Sequence, residues 1–201
     1  PIAVNFSRMT VGEEGFVDRV AETVARFGVD PSLIEIEVTE SARGRGGDLL
    51  RCVADDLRGR GFSVAVDDFG TASTSLSALE GAPVDVVKLD ASLLRADPGC
   101  GAVVVGAAVR LVHELGMVVV AEGVEDARHS LREHGLPLVE RLWRLGILGP
   151  RTIAAHCIHV TGAEMDLLAE TDTMVVHNPE SNMGNAVGCE PMVQLFRRGI
   201  L

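Results

Sequence analysis

The sequence predicts an α/β fold of the (β/α)8 type, an incomplete TIM-type barrel with about seven βα units, one strand short of closure. Three observations predict it. Short apolar runs alternate with helical periodicity along all 201 residues. The runs are valine-rich and nearly continuous, as in parallel strands covered by helices. Aromatics make up only 3% of the chain and Tyr is absent, so the core has to be built from Val, Leu, Ile and Ala. A doubly wound open sheet is the alternative, but no GxGxxG follows a strand.

The strands are read in order as IAVNF (2–6), LIEIEV (33–38), FSVAV (62–66), VDVVKL (84–89), MVVVA (117–121), TIAAH (152–156) and TMVVH (173–177). Helical spacing fills most of the gaps. Phe16, Val20, Val24 and Phe27 share one face; so do Leu50, Val53 and Leu57, and Val104, Ala108, Leu111 and Leu115. Gly28, Gly61 and Gly116 each follow the last periodic residue, where a left-handed cap is wanted. Seven strands leave an open edge, which predicts dimerisation, aggregation or low stability.

Composition narrows the function classes. A net charge of −11 argues against sequence-independent binding of DNA or RNA, which needs a Lys/Arg footprint. Four cysteines at 52, 100, 157 and 189 form no CxxC pair and suggest reduced thiols in a cytoplasmic protein. No apolar run approaches ~18 residues, so no membrane span is expected. PIAVNFS opens without Met or a signal pattern, and FRRGIL stops without a helix-ending signal, so the chain reads as a fragment.

In a (β/α)8 barrel the chemistry sits at the C-terminal strand ends. Here those ends carry Asn5 and Ser7, Thr39 and Glu40, Asp67 and Asp68, Lys88 and Asp90, Glu122, His156, and His177 with Asn178. One such residue is most simply a helix cap. Five consecutive strands ending this way are harder to ascribe to capping. Glu40, Asp67, Asp68 and Glu122 around one mouth need counter-charge. Lys88 supplies one unit; Mg²⁺ or Mn²⁺ suits the hard oxygen ligands and would supply the rest. That combination points to two-metal hydrolysis of a phosphodiester.

VNFS, EVTES, VAVDDFGTASTSLSAL, VDVVKLD and VVVAEGVED, in this order, resemble the EAL domain over about residues 1–126. The resemblance implies a (β/α)8 barrel that hydrolyses cyclic di-GMP to pGpG with Mg²⁺ or Mn²⁺. It implies Asn5, Glu40 and Asp67 as metal ligands, with Asp68 reaching the second metal. Lys88 would hold or polarise the attacking water, Glu122 would be a metal-side carboxylate and general base, and Glu125 would anchor the loop after DDFG. The sequence departs from the family in three places. The Glu-Ala-Leu signature is absent, Ala72 and Ser73 stand where Gly and Tyr are usual, and no GCDxxQGY segment follows the AEGVE helix.

RLGILGPRTIAAHCIHVTGAEMDLLAETDTMVVHNPESNMGNAVGC resembles instead the metal-dependent amidohydrolase superfamily, in its aminohydrolase, deaminase and chlorohydrolase branch, over about residues 130–201. That is also a (β/α)8 barrel, in which Zn²⁺ or Fe²⁺ activates water for attack at a C–N bond. His156 would stand in the metal-site region, and His177, Asn178 and the SNMGN loop would line the pocket. Glu122 fits the family's HxxE proton shuttle, but Val119 occupies its histidine position, and the first-strand HxH pair is absent.

The expected organisation is an EAL-type partial barrel over 1–126 and an amidohydrolase-type partial barrel over 127–201, packed as one domain. The expected function is an EAL-type cyclic di-GMP phosphodiesterase, impaired or inactive because the site is truncated. An amidohydrolase acting on C–N bonds and a non-enzymatic chimeric fragment are the alternatives. Cyclic di-GMP is the candidate ligand and a homodimer a candidate assembly. Several residues are expected to be structural: a buried thiol at Cys157, core side chains at Met165, Leu167 and Leu168, solvated histidines at 113, 129 and 134, and a turn at SNMGN.

Overall fold

The computed structural model describes residues 1–39, 47–70, 83–94, 100–121 and 127–200. Glu40, Glu122 and Glu125 lie outside the described residues. The chain forms two compact units, Pro1–Lys88 and Leu89–Leu201. The fold class is the expected one: seven strands among the described residues, parallel wherever their register is recorded, alternating with helices.

Unit 1 begins with β1 (Ile2–Phe6), a single turn α1 (Arg8–Val11) and α2 (Phe16–Arg26). It continues through β2 (Ile34–Thr39), α3 (Gly47–Gly59), β3 (Ser63–Phe69) and β4 (Val86–Leu89), with the strands in sequence order. Asn5 lies opposite Glu37, and Glu37 opposite Ala65. Because side chains alternate along a strand, this register sorts the sheet into two faces. Ile36, Val38, Val64, Val66 and Val87 are buried on one face, with Ala54 and Leu57 of α3 also in the core. Asn5, Glu35, Glu37, Ser63, Asp67 and Lys88 share the other. The strands are buried on both faces along their middle, as the sequence reading expected, since Glu37, Ala65 and Val86 on the second face are buried too. A cavity of about 450 Å³ lies on the apolar side, lined by Val4, Phe6, Phe16, Val20, Ile34 and Ile36 together with Thr10, Glu13, Arg19 and Thr23.

Unit 2 runs α4 (Ala91–Leu94), α5 (Cys100–Glu114), β5 (Val118–Ala121), α6 (Ala127–His134) and α7 (Leu138–Arg144). It ends with β6 (Thr152–Ala155), α8 (Gly162–Glu170), β7 (Met174–Val176), α9 (Pro179–Gly184) and α10 (Met192–Arg197). β6 pairs with both β5 and β7. The core holds Val109, Val112, Val119, Leu142, Ile147, Leu168 and Leu195, all fully buried.

Gly28, Gly61 and Gly116 take φ of +64°, +91° and +84°, the left-handed caps that the sequence predicts. β3 is longer than expected, reaching Phe69. β4 is shorter, because Asp85 turns to bond Val64: its amide donates to the Val64 carbonyl at 2.9 Å and its carboxylate accepts the Val64 amide at 3.0 Å. The face assigned to α5 is corrected. Val104 and Leu115 are exposed, and the buried stripe is Val105, Ala108, Val109 and Val112. Phe27 is likewise exposed rather than part of the α2 stripe.

Three smaller expectations also change. The turn expected at SNMGN is mostly helix, since Ser181–Gly184 belong to α9. His113 is not simply solvated: its ring Nε2 bonds the Arg151 carbonyl at 3.2 Å, and burial lowers its pKa. His134 is half-buried, with both ring nitrogens shielded from solvent. Cys157 is a buried thiol outside any disulfide and Met165 and Leu168 are core, as expected, whereas Leu167 is only half-buried. No helix among the described residues is long and apolar enough to cross a membrane.

Candidate active site

The polar face of unit 1 gathers around one ammonium group. Lys88 Nζ lies 3.1 Å from Glu37 Oε1 and 3.2 Å from Glu37 Oε2, and 3.7 Å from Asp67 Oδ1. The Asn5 amide points at the same two carboxylates, with Nδ2 3.3 Å from Asp67 Oδ2 and 3.5 Å from Glu37 Oε2. The local cause is strand geometry. Asn5, Glu37, Asp67 and Lys88 occupy one face of four neighbouring strands near their C-terminal ends. The Lys88 and Glu37 side chains keep only 16% and 9% of their exposure, so their attraction is weakly screened by water.

Below them on the same face, Glu35 is half-buried, and its carboxylate accepts a bond from Ser63 Oγ at 3.3 Å. Burial pushes the Glu35 pKa up, and the Glu37 charge pushes it further. A carboxyl group buried beside Glu37 resists ionisation, and a cation held on this face would oppose that shift.

Three residues expected at the site are thus brought together: Asn5, Asp67 and Lys88. Asp68 is exposed and held at φ +58° beside them, with its amide bonded to Asp67 Oδ1 at 2.9 Å. Its backbone turn separates the two adjacent carboxylates. Sequence reasoning missed Glu37. It looked for polar groups at the strand's end and passed over the one inside it. The alternation of IEIEV carried the signal: a buried face of Ile and Val leaves Glu35 and Glu37 on the other.

The two carboxylates and the Asn5 side-chain carbonyl offer a hard-oxygen donor set, with the Lys88 ammonium beside it as a counter-charge and not a ligand. It fits Mg²⁺ or Mn²⁺ in chemistry. Among the described residues, no three His, Cys, Asp or Glu side chains come together.

In unit 2, His156 and His177 follow directly after β6 and β7. His156 takes φ +70° and Cys157 +43°, a sharp left-handed exit from the strand. His156 Nδ1 bonds Asn182 Oδ1 at 2.7 Å, and His177 Nδ1 bonds Glu190 Oε2. Asn178 precedes α9 without a side-chain cap. With both Nδ1 atoms engaged, and with no group of three His, Cys, Asp or Glu among the described residues placed to hold a metal ion, these residues do not make a Zn²⁺ or Fe²⁺ shell.

The chain matches the family model described as EAL domain over residues 1–132 and the one described as Amidohydrolase family over residues 95–201. The two ranges overlap by 38 residues. It is 36% identical over 126 residues to the bifunctional diguanylate cyclase/cyclic di-GMP phosphodiesterase MucR of Pseudomonas aeruginosa, covering 62% of this chain and 18% of that protein. It is 46% identical over 81 residues to a 5'-deoxyadenosine deaminase of Methanothermobacter thermautotrophicus, covering 40% of this chain and 19% of that protein. The chain therefore spans about a fifth of the length of these curated relatives. Among solved structures it resembles the EAL domain of Mycobacterium smegmatis DcpA, with TM-score 0.60 and 33% identity over 72% of this chain and 62% of that one. The MucR phosphodiesterase in complex with c-di-GMP gives TM-score 0.60 and 34% identity over 72% and 61%. Klebsiella pneumoniae BlrP1, solved as a calcium/cy-diGMP complex, gives 0.59 and 32% over 72% and 35%.

Proposed function

The chain belongs to the EAL domain family through residues 1–132 and to the amidohydrolase family through residues 95–201, and from that premise we propose that its working site is the polar face of unit 1, a cyclic di-GMP phosphodiesterase site. The observation that carries this reading is the convergence of Asn5, Glu37 and Asp67 on Lys88. A cyclic dinucleotide presents two phosphodiesters, and each needs cationic groups along its oxygens while water attacks phosphorus.

Asn5, Glu37 and Asp67 would hold Mg²⁺ or Mn²⁺, with Asp68 and Glu40 as further candidate ligands. Such a bound ion would neutralise phosphate charge and acidify water. The protein's own groups have separable roles. Lys88 donates to the attacking water and orients its lone pair toward phosphorus. Glu37 and Asp67 hold the Lys88 ammonium in place. Glu122 is the proposed acceptor of the water proton, and Glu125 the anchor of the loop after DDFG. Opening one P–O ester bond yields linear pGpG. The cytoplasm, where a soluble nucleotide would be met, is the proposed setting, and a homodimer the proposed assembly.

The test is incubation with cyclic di-GMP and Mn²⁺, with product read by chromatography. Weak pGpG formation that disappears in Asp67→Asn supports the reading. Binding without pGpG reduces it to a nucleotide-binding face, and neither binding nor product leaves the non-enzymatic chimera. A second reading, C–N bond hydrolysis by unit 2 around His156, His177 and Asn178, is supported by the 46% identity to a deaminase. Ammonia release from aminated heterocycles with added Zn²⁺ tests it, and no release removes it.

A further inference from the structure

Unit 2 holds a polar constellation that the phosphodiester reading does not use. His156 and His177 stand at the ends of neighbouring parallel strands, and the His156 amide donates to the Val176 carbonyl at 3.3 Å. Both rings are half-buried, and each is backed on Nδ1 by a buried side chain: Asn182 behind His156, Glu190 behind His177. The two backings differ in charge. A carboxylate only accepts hydrogen bonds, so His177 carries its hydrogen on Nδ1, and the Nε2 lone pair is left on the far edge of the ring.

The backing is costly to maintain. The Glu190 side chain has no exposure left, and its Oε1 is buried without a hydrogen-bond partner, as is Asn182 Nδ2. Burial raises the Glu190 pKa, and only the bond to His177 and the nearby charges of His177 and His156 oppose it. As mere packing, an apolar pair of similar volume would serve as well or better. A buried carboxylate aimed at one nitrogen of a part-exposed imidazole does something packing does not: it fixes the tautomer and offsets the charge of the protonated ring.

We propose that Glu190 is the positioning residue of a carboxylate–imidazole couple in unit 2, in which His177 Nε2 accepts a proton from a protic ligand, water or a hydroxyl. Proton transfer leaves the oxygen anionic and the ring cationic, with Glu190 as counter-ion. Return of the proton restores the resting couple. The couple is independent of the cyclic dinucleotide site, since it shares no residue with it.

The experiment uses the full chain. Long-range ¹H–¹⁵N correlation reads the His177 tautomer. Diethyl pyrocarbonate reads its nucleophilicity: Nε2 attacks one carbonyl carbon and expels ethyl carbonate, which decays to carbon dioxide and ethanol. Peptide mass spectrometry gives the rate at His177 against the exposed His159 of the same molecule. The expected result is an Nδ1–H tautomer in the wild type and a His177 rate that falls on the order of tenfold in Glu190→Leu. Glu190→Gln, which keeps an acceptor oxygen but no charge, keeps the tautomer while losing part of the rate. An Nε2–H tautomer in the folded wild type overturns the proposal, as does a His177 rate equal in all three proteins. Where Glu190→Leu fails to fold by circular dichroism, the wild-type tautomer and the Gln rate decide.

Discussion

Units 1 and 2 are built from the same βα repeat, and both place polar groups at strand ends, yet they handle them in opposite ways. Unit 1 gathers two carboxylates, an amide and an ammonium on one strand face, where charges are shared among several partners. Unit 2 turns the chain back over its strand ends and settles its imidazoles one by one against Asn182 and Glu190. Shared charge can be reassigned when a ligand arrives. A group matched to one buried partner is fixed instead. The first arrangement suits recruitment of cations and phosphates, and the second suits holding a ring in one state.

Removing the shared cation should have the largest effect. Lys88→Met leaves Glu37 and Asp67 facing each other without counter-charge, at an expected cost of about 3 kcal/mol in the absence of added metal. Urea unfolding measures it. Adding Glu37→Gln to Lys88→Met should recover part of the loss, because the two residues interact directly. Additive losses would mean that the contact contributes nothing, and the comparison between units would lose its first half.

Packing in unit 2 gives the next effect. A Cβ on Gly106 of α5 would meet the Leu145 carbonyl oxygen at 2.8 Å, a backbone atom that cannot swing aside. Gly106→Ala should therefore destabilise the chain by about 1–3 kcal/mol, although alanine is the better helix former. A stabilised variant in thermal unfolding would show that α5 is free to move away from Leu145.

The order of these elements was legible in the sequence, and the details that failed did so for physical reasons. Apolar runs fixed all seven strands, because burial needs them whatever the neighbours are. The α5 stripe was misplaced because VVVGAAVRLV is apolar on nearly every face, so periodicity could not choose among them. Glu37 was passed over because a strand-end rule outweighed simple alternation. Glu190 gave no signal: it lies outside any periodic element and is buried only because His177 meets it in space. Asn5, Asp67 and Lys88 were legible because the EAL resemblance and the strand-end rule agree on them.

Acidity separates the buried carboxylates from the shared ones more gently. Glu190 has a folded pKa above its ordinary 4.5, chiefly through burial. Between those two values the folded chain holds more protons than the unfolded chain, so stability falls as pH rises from about 4.5 through the folded value. Glu35 works in the same direction in unit 1. Glu190→Gln should flatten the decline, read as denaturation midpoints across that range. A decline unchanged in Glu190→Gln would assign it elsewhere, with Glu35→Gln as the next variant to measure.

The smallest expected effect concerns how unit 2 fastens its helices. Thr161 caps α8 through a reciprocal box: its Oγ1 accepts the Glu164 amide at 3.3 Å, and Glu164 Oε2 accepts the Thr161 amide at 2.9 Å. Glu164 Oε1 also accepts the Val139 amide of α7 at 3.0 Å, so one buried carboxylate satisfies donors from two helix starts. Thr161→Ala removes the cap acceptor together with the hydroxyl's own bond to Glu164 Oε2 at 2.9 Å, and should cost about 1 kcal/mol. Glu164→Ala strands the Val139 and Thr161 amides as well, and should cost more. Equal losses in chemical denaturation would mean that Glu164 serves only the box. A larger loss for Glu164 would extend the one-group, fixed-partner pattern of unit 2 from its imidazoles to its helix ends.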